Sequence, residues 1–188
     1  SVIELEPIVQ AKIDSLRIKS VAAAVKESVV AVPVALDAES VRLTWNAVKE
    51  ARKARLQVCA PVSSVQMEYL FHKKPEAMLK AIAETIAACK AVCADVEFVA
   101  DDATRANPEY LAGALKTAIA AGAATVTLCD TAGTMLPAEF ACFIKDMYQT
   151  VPEMAEVSVG VSCCNTLSMA DACAIASVGE GVTELKAA

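Results

Sequence analysis

Four short polar clusters stand out in a chain that is 56% hydrophobic. The first holds Ser63, Gln66, Glu68 and Tyr69, and the second Asp101, Asp102, Thr104 and Arg105. The third holds Asp130, Thr131, Gly133 and Thr134, and the fourth Ser162, Cys163, Cys164, Asn165 and Thr166. Carboxylates beside an arginine, and hydroxyls beside main-chain amides, suit holding a small anion or moving a proton. Each cluster also has an architectural reading. Asp101, Asp102 and Arg105 make a helix-entry ion pair, and Asp130 with Thr131 makes an Asx-type turn. Cys164 reads as a buried thiol, because no histidine lies near it in the sequence to lower its pKa. His72, the single histidine, stands beside Lys73 and Lys74 and reads as an exposed side chain.

Every cluster directly follows a β-branched or apolar run. Strands are expected at residues 2–5, 29–34, 56–60, 96–100, 125–129 and 157–161, with 183–186 as a last one. Between them lie helical patterns at 8–25, with Ile13, Leu16 and Val21 as its apolar positions, and at 39–54, capped by Asp37. Further helices are expected at 75–93, 107–121 (stopped by Gly122), 137–149 and 167–177. Pro33 is expected near a strand end or a bulge. Strands separated by single helices imply parallel pairing with right-handed crossovers. Either an open doubly wound sheet or a (β/α)8 barrel fits. No G-x-G-x-x-G follows the first strand, so the dinucleotide-binding fingerprint is missing. The number of units favours a barrel, although a full one usually needs roughly 200 residues or more. Barrel sites sit just past the C-terminal ends of the strands, where the four clusters lie.

Composition narrows the partners. The 188 residues suit one domain over 1–188. Seventeen Lys and Arg against 23 Asp and Glu leave a net charge of −6, and no basic run exceeds Lys73-Lys74. That argues against a nucleic-acid surface. No apolar run reaches the ~18 residues of a membrane span. The opening SVIELEP has neither the basic start nor the apolar core of a secretory signal, so a cytoplasmic location is expected. The eight cysteines include no C-x-x-C pair, and with a single histidine they read as reduced, buried thiols rather than disulfides or a zinc site.

The clusters also match a known pattern. VEFVADDATRANPEYL resembles the VEF-x-x-(E/D)-DATR signature of 2-isopropylmalate synthases. AGAATVTLCDTAG resembles that family's AGA-T-x-x-x-x-DT-x-G strand and turn. SSVQMEY is similar to its S-x-x-x-MEY loop, and SCCNTLSMA lines up with its metal-binding H-C-H-N-D-L-G-x-A. The resemblance runs from about Leu36 to the end, and more weakly from Val2. It implies the wider HMGL-like group of acyl-CoA condensing barrels, with homocitrate and citramalate synthases and hydroxymethylglutaryl-CoA lyase. The implied fold is α/β: an incomplete TIM (β/α)8-type barrel of about seven parallel strands, with strand 1 missing. The implied chemistry is a Claisen-type condensation of acetyl-CoA with a small 2-oxo acid, as in leucine-type amino-acid biosynthesis. In that family a divalent metal (magnesium, manganese or zinc) polarises the ketone.

By the same resemblance, Glu68, Asp102, Arg105, Asp130 and Thr131 carry over. Thr131 takes the role of holding the 2-oxo acid carboxylate, with Glu68 and Arg105 as further substrate-binding positions, while Asp102 and Arg105 also suit bracing a loop. The departures gather at the metal. The first-strand Asp-Gly motif, with its arginine, is absent; the two ligand histidines align with Ser162 and Cys164; the neighbouring Asp is Thr166; and the strand-4 loop carries Gln57, Val58 and Val62. The last ligand, an Asn, would fall just past Ala188. One serine and one cysteine are poor ligands for a hard divalent ion, so no metal cofactor is expected. Three readings follow: a condensing enzyme of impaired activity, a non-catalytic relative serving as a binding or partner subunit, or a fragment of a longer chain. Unpaired barrel edges lead us to expect a homo-oligomer or a partner chain.

Overall fold

A computed structural model describes residues 1–187. Seven strands form one sheet in chain order: β1 (Val2–Glu4), β2 (Val29–Val34), β3 (Ala54–Pro61), β4 (Asp95–Asp101), β5 (Thr125–Asp130), β6 (Ser158–Cys163) and β7 (Glu184–Lys186). All six neighbouring pairs are parallel. The helices are α1 (Ala11–Ala24), α2 (Ala38–Val48), α3 (Ser64–Tyr69), α4 (Pro75–Lys90), α5 (Pro108–Ala120), α6 (Pro137–Thr150) and α7 (Ala170–Val178). The sheet is curled into an incomplete barrel. Arg55 on β3 bonds Glu184 on β7, and Lys186 on β7 bonds Glu4 on β1, contacts that a flat sheet in this order would not permit.

Period-two alternation sorts the strand residues between two environments. One set, including Val30, Val32, Leu56, Val58, Val96, Phe98, Val126, Leu128 and Val159, is fully buried beneath the helices. Ile18, Ile82, Ile86, Leu115, Phe140 and Ile144 meet it from the helical layer. The other set faces the barrel lumen and is strongly polar: Glu4, Arg55, Gln57, Glu97, Thr127, Glu184 and Lys186. Most barrels fill this space with branched apolar side chains. Here ion pairs and hydrogen bonds fill it.

Local signals hold where a side chain binds its own backbone. Asp37 caps α2 by accepting from Ser40 N at 2.7 Å, and Asn107 caps α5 by accepting from Tyr110 N at 3.1 Å. Pro33 sits second from last in β2. Leu5 N donates to Ala31 O, so the β2 backbone at Ala31, and two residues on at Pro33, faces β1. β1 has ended by then, and the missing N–H has no acceptor to disappoint.

Several expectations need correction. α1 is shorter than 8–25, and its buried residues are Ile18 and Ala22, while Ile13 and Leu16 are 63% and 62% exposed. Ile18 stands opposite those two on the helical wheel, so the apolar stripe of the sequence is the outer face. α2 stops at Val48 rather than 54, because Ala54 already belongs to β3. Residues 64–69, read as loop, form the short helix α3, with Ser63 accepting from Gln66 N. Among the cysteines, Cys142 and Cys164 are exposed, so Cys164 is not a buried thiol; all eight are free. No described helix is long and apolar enough to cross a membrane.

Candidate functional site

At the C-terminal edge of the sheet, two buried aspartates stitch four loops together. Asp102, just past β4, has left-handed backbone (φ 62°) and no exposed surface. Its carboxylate accepts the Ser63 hydroxyl from the loop after β3. It also accepts Arg105 Nε at 2.7 Å and Arg105 Nη2 at 2.8 Å. Its main-chain N–H donates to Thr131 Oγ1 at 2.9 Å, across to the loop after β5. Asp130 closes β5. It accepts the Thr104 hydroxyl at 2.9 Å and the amides of Gly133 and Met135 at 3.2 and 3.3 Å. Its own carbonyl accepts from Cys164 N at 3.0 Å, tying in the loop after β6. Gly133 (φ 63°) permits this approach: a Cβ there would lie 2.4 Å from the Cys164 carbonyl oxygen.

The two architectural readings of these clusters therefore hold, with Asp130 as an Asx turn and Asp102–Arg105 as an ion pair. Asp101 is not part of that pair. Thr131 is exposed. Its oxygen is occupied by the Asp102 amide, which leaves the hydroxyl proton free to donate into the solvent above the edge. Arg105 spends two nitrogens on Asp102, and its side chain is half exposed. Glu68 stands apart: it lines a cleft of about 480 Å³ with Met67, His72, Lys73 and Lys74. The structure thus links Thr131 to Arg105 through Asp102, and joins Glu68 to neither by any described hydrogen bond.

Below this edge lies the lumen network, which sequence reasoning missed. Arg55 Nε lies 3.0 Å from Asp95, and its Nη1 and Nη2 lie 2.7 and 3.1 Å from the two Glu184 oxygens. Lys186 Nζ lies 2.7 Å from Glu4 and 3.0 Å from Glu97. Glu97 also accepts the Thr127 hydroxyl at 2.6 Å and Gln57 Nε2 at 2.9 Å. Burial opposes the charge on Glu97, but the Lys186 ammonium and these hydrogen bonds outweigh it and hold the carboxyl below its usual range. Asp101, at the upper end of β4, behaves oppositely. Burial pushes its carboxyl up to about 6; Lys186 pulls it down, while Asp102 and Glu4 add to the rise. No described hydrogen bond ends on its carboxylate, so it is poised to hold or release a proton near neutrality. Burial also pushes the thiols of Cys59 and Cys163 up to about 12, leaving them protonated. One signal would have revealed the network: Arg55/Gln57, Asp95/Glu97 and Glu184/Lys186 are polar at alternate positions within strands, so each pair shares a face and must find partners.

The positions expected to hold a metal are Ser162 and Cys164. Ser162 is half-buried, faces the lumen and pairs in register with Lys186; Cys164 is an exposed thiol. No group of three or more His, Cys, Asp or Glu able to hold a metal ion occurs among the described residues. A hydroxyl, a thiol and a neighbouring ammonium do not fit a hard divalent cation.

A curled sheet of seven parallel strands, with its polar loops at the strand C-termini, defines an α/β protein of the TIM-barrel class. Solved structures agree. A hydroxymethylglutaryl-CoA lyase from Bacillus subtilis aligns with TM-score 0.75 and 15% identity, over 98% of this chain and 63% of the lyase. A lyase from Acinetobacter baumannii, solved with coenzyme A and 3-methylmalate, aligns with TM-score 0.71 and 14% identity, over 100% of this chain and 62% of that one. The chain belongs to the HMGL-like family, whose pattern matches residues 1–188. A 2-isopropylmalate synthase from Clostridium kluyveri is 30% identical over 171 residues, which is 91% of this chain. The chain spans about a third of the length of that relative (33%).

Proposed function

We propose that this barrel binds a small 2-oxo acid at its C-terminal edge, as the substrate-binding part of a 2-isopropylmalate synthase-like acyltransferase whose metal-dependent step is impaired. Acetyl-CoA would be the second substrate, which the likeness to a lyase solved with coenzyme A supports. The observation that carries this reading is the Asp102–Thr131 link. It holds an exposed hydroxyl, its proton unspent, on a rigid loop at the end where parallel strands and helix N-termini favour anions. Thr131 donates to the carboxylate of the acid. Arg105 acts chiefly through Asp102, by holding the loop, with Nη1 left to face the ligand. Asp101, its carboxyl raised to about 6, is the group at this end able to exchange a proton near neutrality. Glu68, in its separate cleft, would touch only a longer substrate such as the thioester. We derive no step through a metal, because Ser162 and Cys164 do not suit one.

A second reading, a non-catalytic barrel that serves as a binding or partner subunit, is favoured by that same donor set. The two share a ligand and differ in turnover.

One hydrogen bond to a charged group contributes about 1.5–3 kcal/mol, and the ordering costs of association absorb much of it. Millimolar affinity for 2-oxoisovalerate at best is therefore expected, weakened further by Thr131→Val. An NMR titration tests this. Shifts should gather on residues 101–105 and 130–134. Shifts confined to the opposite, strand-start end, or tight binding untouched by Thr131→Val, would refute the reading. Product formation from acetyl-CoA then separates the condensing enzyme from the partner subunit.

A further inference from the structure

Helix α3 has little to hold it. Its six residues make fewer than two turns, too few for a helix to persist in water without outside support. Only Met67 of the six is buried. Val65 and Tyr69 are exposed, as are Leu70 and Phe71 just after the helix. The chain then turns at His72, whose backbone is left-handed (φ 51°), before Pro75 opens α4. A segment so weakly packed belongs to the part of a fold that opens locally. Its opening matters, because Ser64, Met67 and Glu68 of α3 form one wall of the cleft of about 480 Å³ that ends at Pro75.

The start of α3 is fastened by Ser63, which has no exposed surface. Its hydroxyl has two tasks. The oxygen accepts from Gln66 N at 3.3 Å and so caps the helix. The single proton goes to Asp102 Oδ2, 39 residues away in the chain. Donating to a carboxylate polarises the hydroxyl and makes its oxygen a stronger acceptor. The strength of the cap therefore depends on the charge and placement of Asp102. Arg105 fixes that carboxylate with two nitrogens, and the Asp102 main-chain N–H donates to Thr131 Oγ1 at 2.9 Å. An unbroken series of polar contacts thus runs from Gln66 N through Ser63 and Asp102 to Thr131. It joins the wall of the cleft to the C-terminal rim.

We infer that Ser63 is a positioning residue that couples the opening of α3, and with it the shape of the cleft, to the Asp102–Thr131 rim. A rim that holds Asp102 in place keeps α3 capped and the cleft formed. A rim that lets Asp102 move releases the cap and frees α3 to swing on Ser63 and His72. If Met67 alone anchored the helix, changes at Asp102 or Thr131 would not reach it. One consequence rests on the proposed 2-oxo acid site: a carboxylate held by Thr131 steadies the rim and closes α3 as well. By linkage, an open α3 then weakens binding of that carboxylate by the same factor. The coupling itself needs no ligand.

The test is native-state hydrogen exchange of the whole chain, read at the amides of Gln66, Met67, Leu70 and Phe71, with exchange across β3–β5 as the folding control. Ser63→Ala is expected to speed these four about tenfold, and Ser63→Thr, which keeps the hydroxyl, to stay well below that. Asp102→Asn keeps the shape but removes the charge, and should speed them about threefold. The double variant should match Ser63→Ala alone, about tenfold, rather than reach the product of about thirtyfold. Thr131→Val, at an exposed position that does not endanger the fold, should speed them about twofold. Indifference of α3 to both rim variants, or effects of Ser63→Ala and Asp102→Asn that simply multiply, would overturn the coupling. A second arm adds 2-oxoisovalerate in excess. It should slow the four amides in the wild type and leave them unchanged in Ser63→Ala, while residues 130–134 still respond in both. Binding that leaves α3 exchange unchanged in the wild type would also overturn the coupling. No binding at all would sink the 2-oxo acid site alone, and the substitution cycle would still decide the role of Ser63.

Discussion

Asp101→Asn offers a sharp test of the barrel mouth. Burial raises the carboxyl from its ordinary 3.8 to about 6, with Asp102 and Glu4 adding to the rise and Lys186 opposing it. One pKa unit corresponds to about 1.4 kcal/mol, so ionising this group costs the folded protein about 3 kcal/mol relative to the unfolded chain. Between pH 4 and 6 the folded state carries more bound protons than the unfolded one, and stability from this residue falls as pH rises. The cost is small below pH 4 and complete above about pH 7. Asparagine keeps the shape and never ionises. The variant should therefore be close to wild type near pH 4, and up to about 3 kcal/mol more stable at pH 7.5. Urea unfolding of both proteins from pH 4 to 8 measures the difference, and contributions from the other groups cancel in it. A gap that does not change with pH, or one that closes as pH rises, would refute the assignment of a poised carboxyl. In the proposed role the same substitution also removes the proton carrier, so it should stabilise the fold without strengthening 2-oxo acid turnover.

Four further outcomes follow from the same geometry. Gly133→Ala puts a Cβ 2.4 Å from the Cys164 carbonyl oxygen at a positive φ, and should cost at least about 2 kcal/mol in denaturant unfolding. Lys186→Met takes from Glu97, 1% exposed and beside Glu4, its nearer cation and leaves only Arg55 Nη1 at 3.6 Å, and should cost about 2 kcal/mol at neutral pH. Glu97 is held below its usual range, so its contribution is present above about pH 4.5 and lost on acidification; the penalty of Lys186→Met should accordingly shrink toward pH 4 in unfolding titrations. Under native conditions iodoacetamide should label the exposed Cys142 and Cys164 first. Cys89, Cys93, Cys129 and Cys173, which are buried, should react only on unfolding, a contrast that peptide mass spectrometry reads directly. Ser162→His with Cys164→His should fail to create micromolar zinc or manganese binding in calorimetry, because Lys186 still stands in register beside position 162 and no third ligand joins the pair among the described residues.

Much of this architecture was already written in local patterns. The alternation of β-branched runs with helices sets the parallel order, since short crossovers admit little else. Asp37, Asn107 and Asp130 declare their caps and turn because each binds backbone within five residues of itself. The Asp102–Arg105 pair is legible for the same reason, being three residues apart. Interactions that join remote strands were not legible. Arg55 meets Glu184 across 129 residues, and Lys186 meets Glu4 across 182. Only the curl of the sheet brings those faces together. The same curl turns Asp101 from one member of an apparent acidic pair into a carboxyl poised near neutrality, while its neighbour Asp102 points the other way into a loop brace. Helix α1 shows the reverse failure: Ile13 and Leu16 carry the right spacing for a core face, but the sheet receives Ile18 and Ala22. Sequence period tells which residues share a face; which face meets the sheet is decided by the packing of the whole.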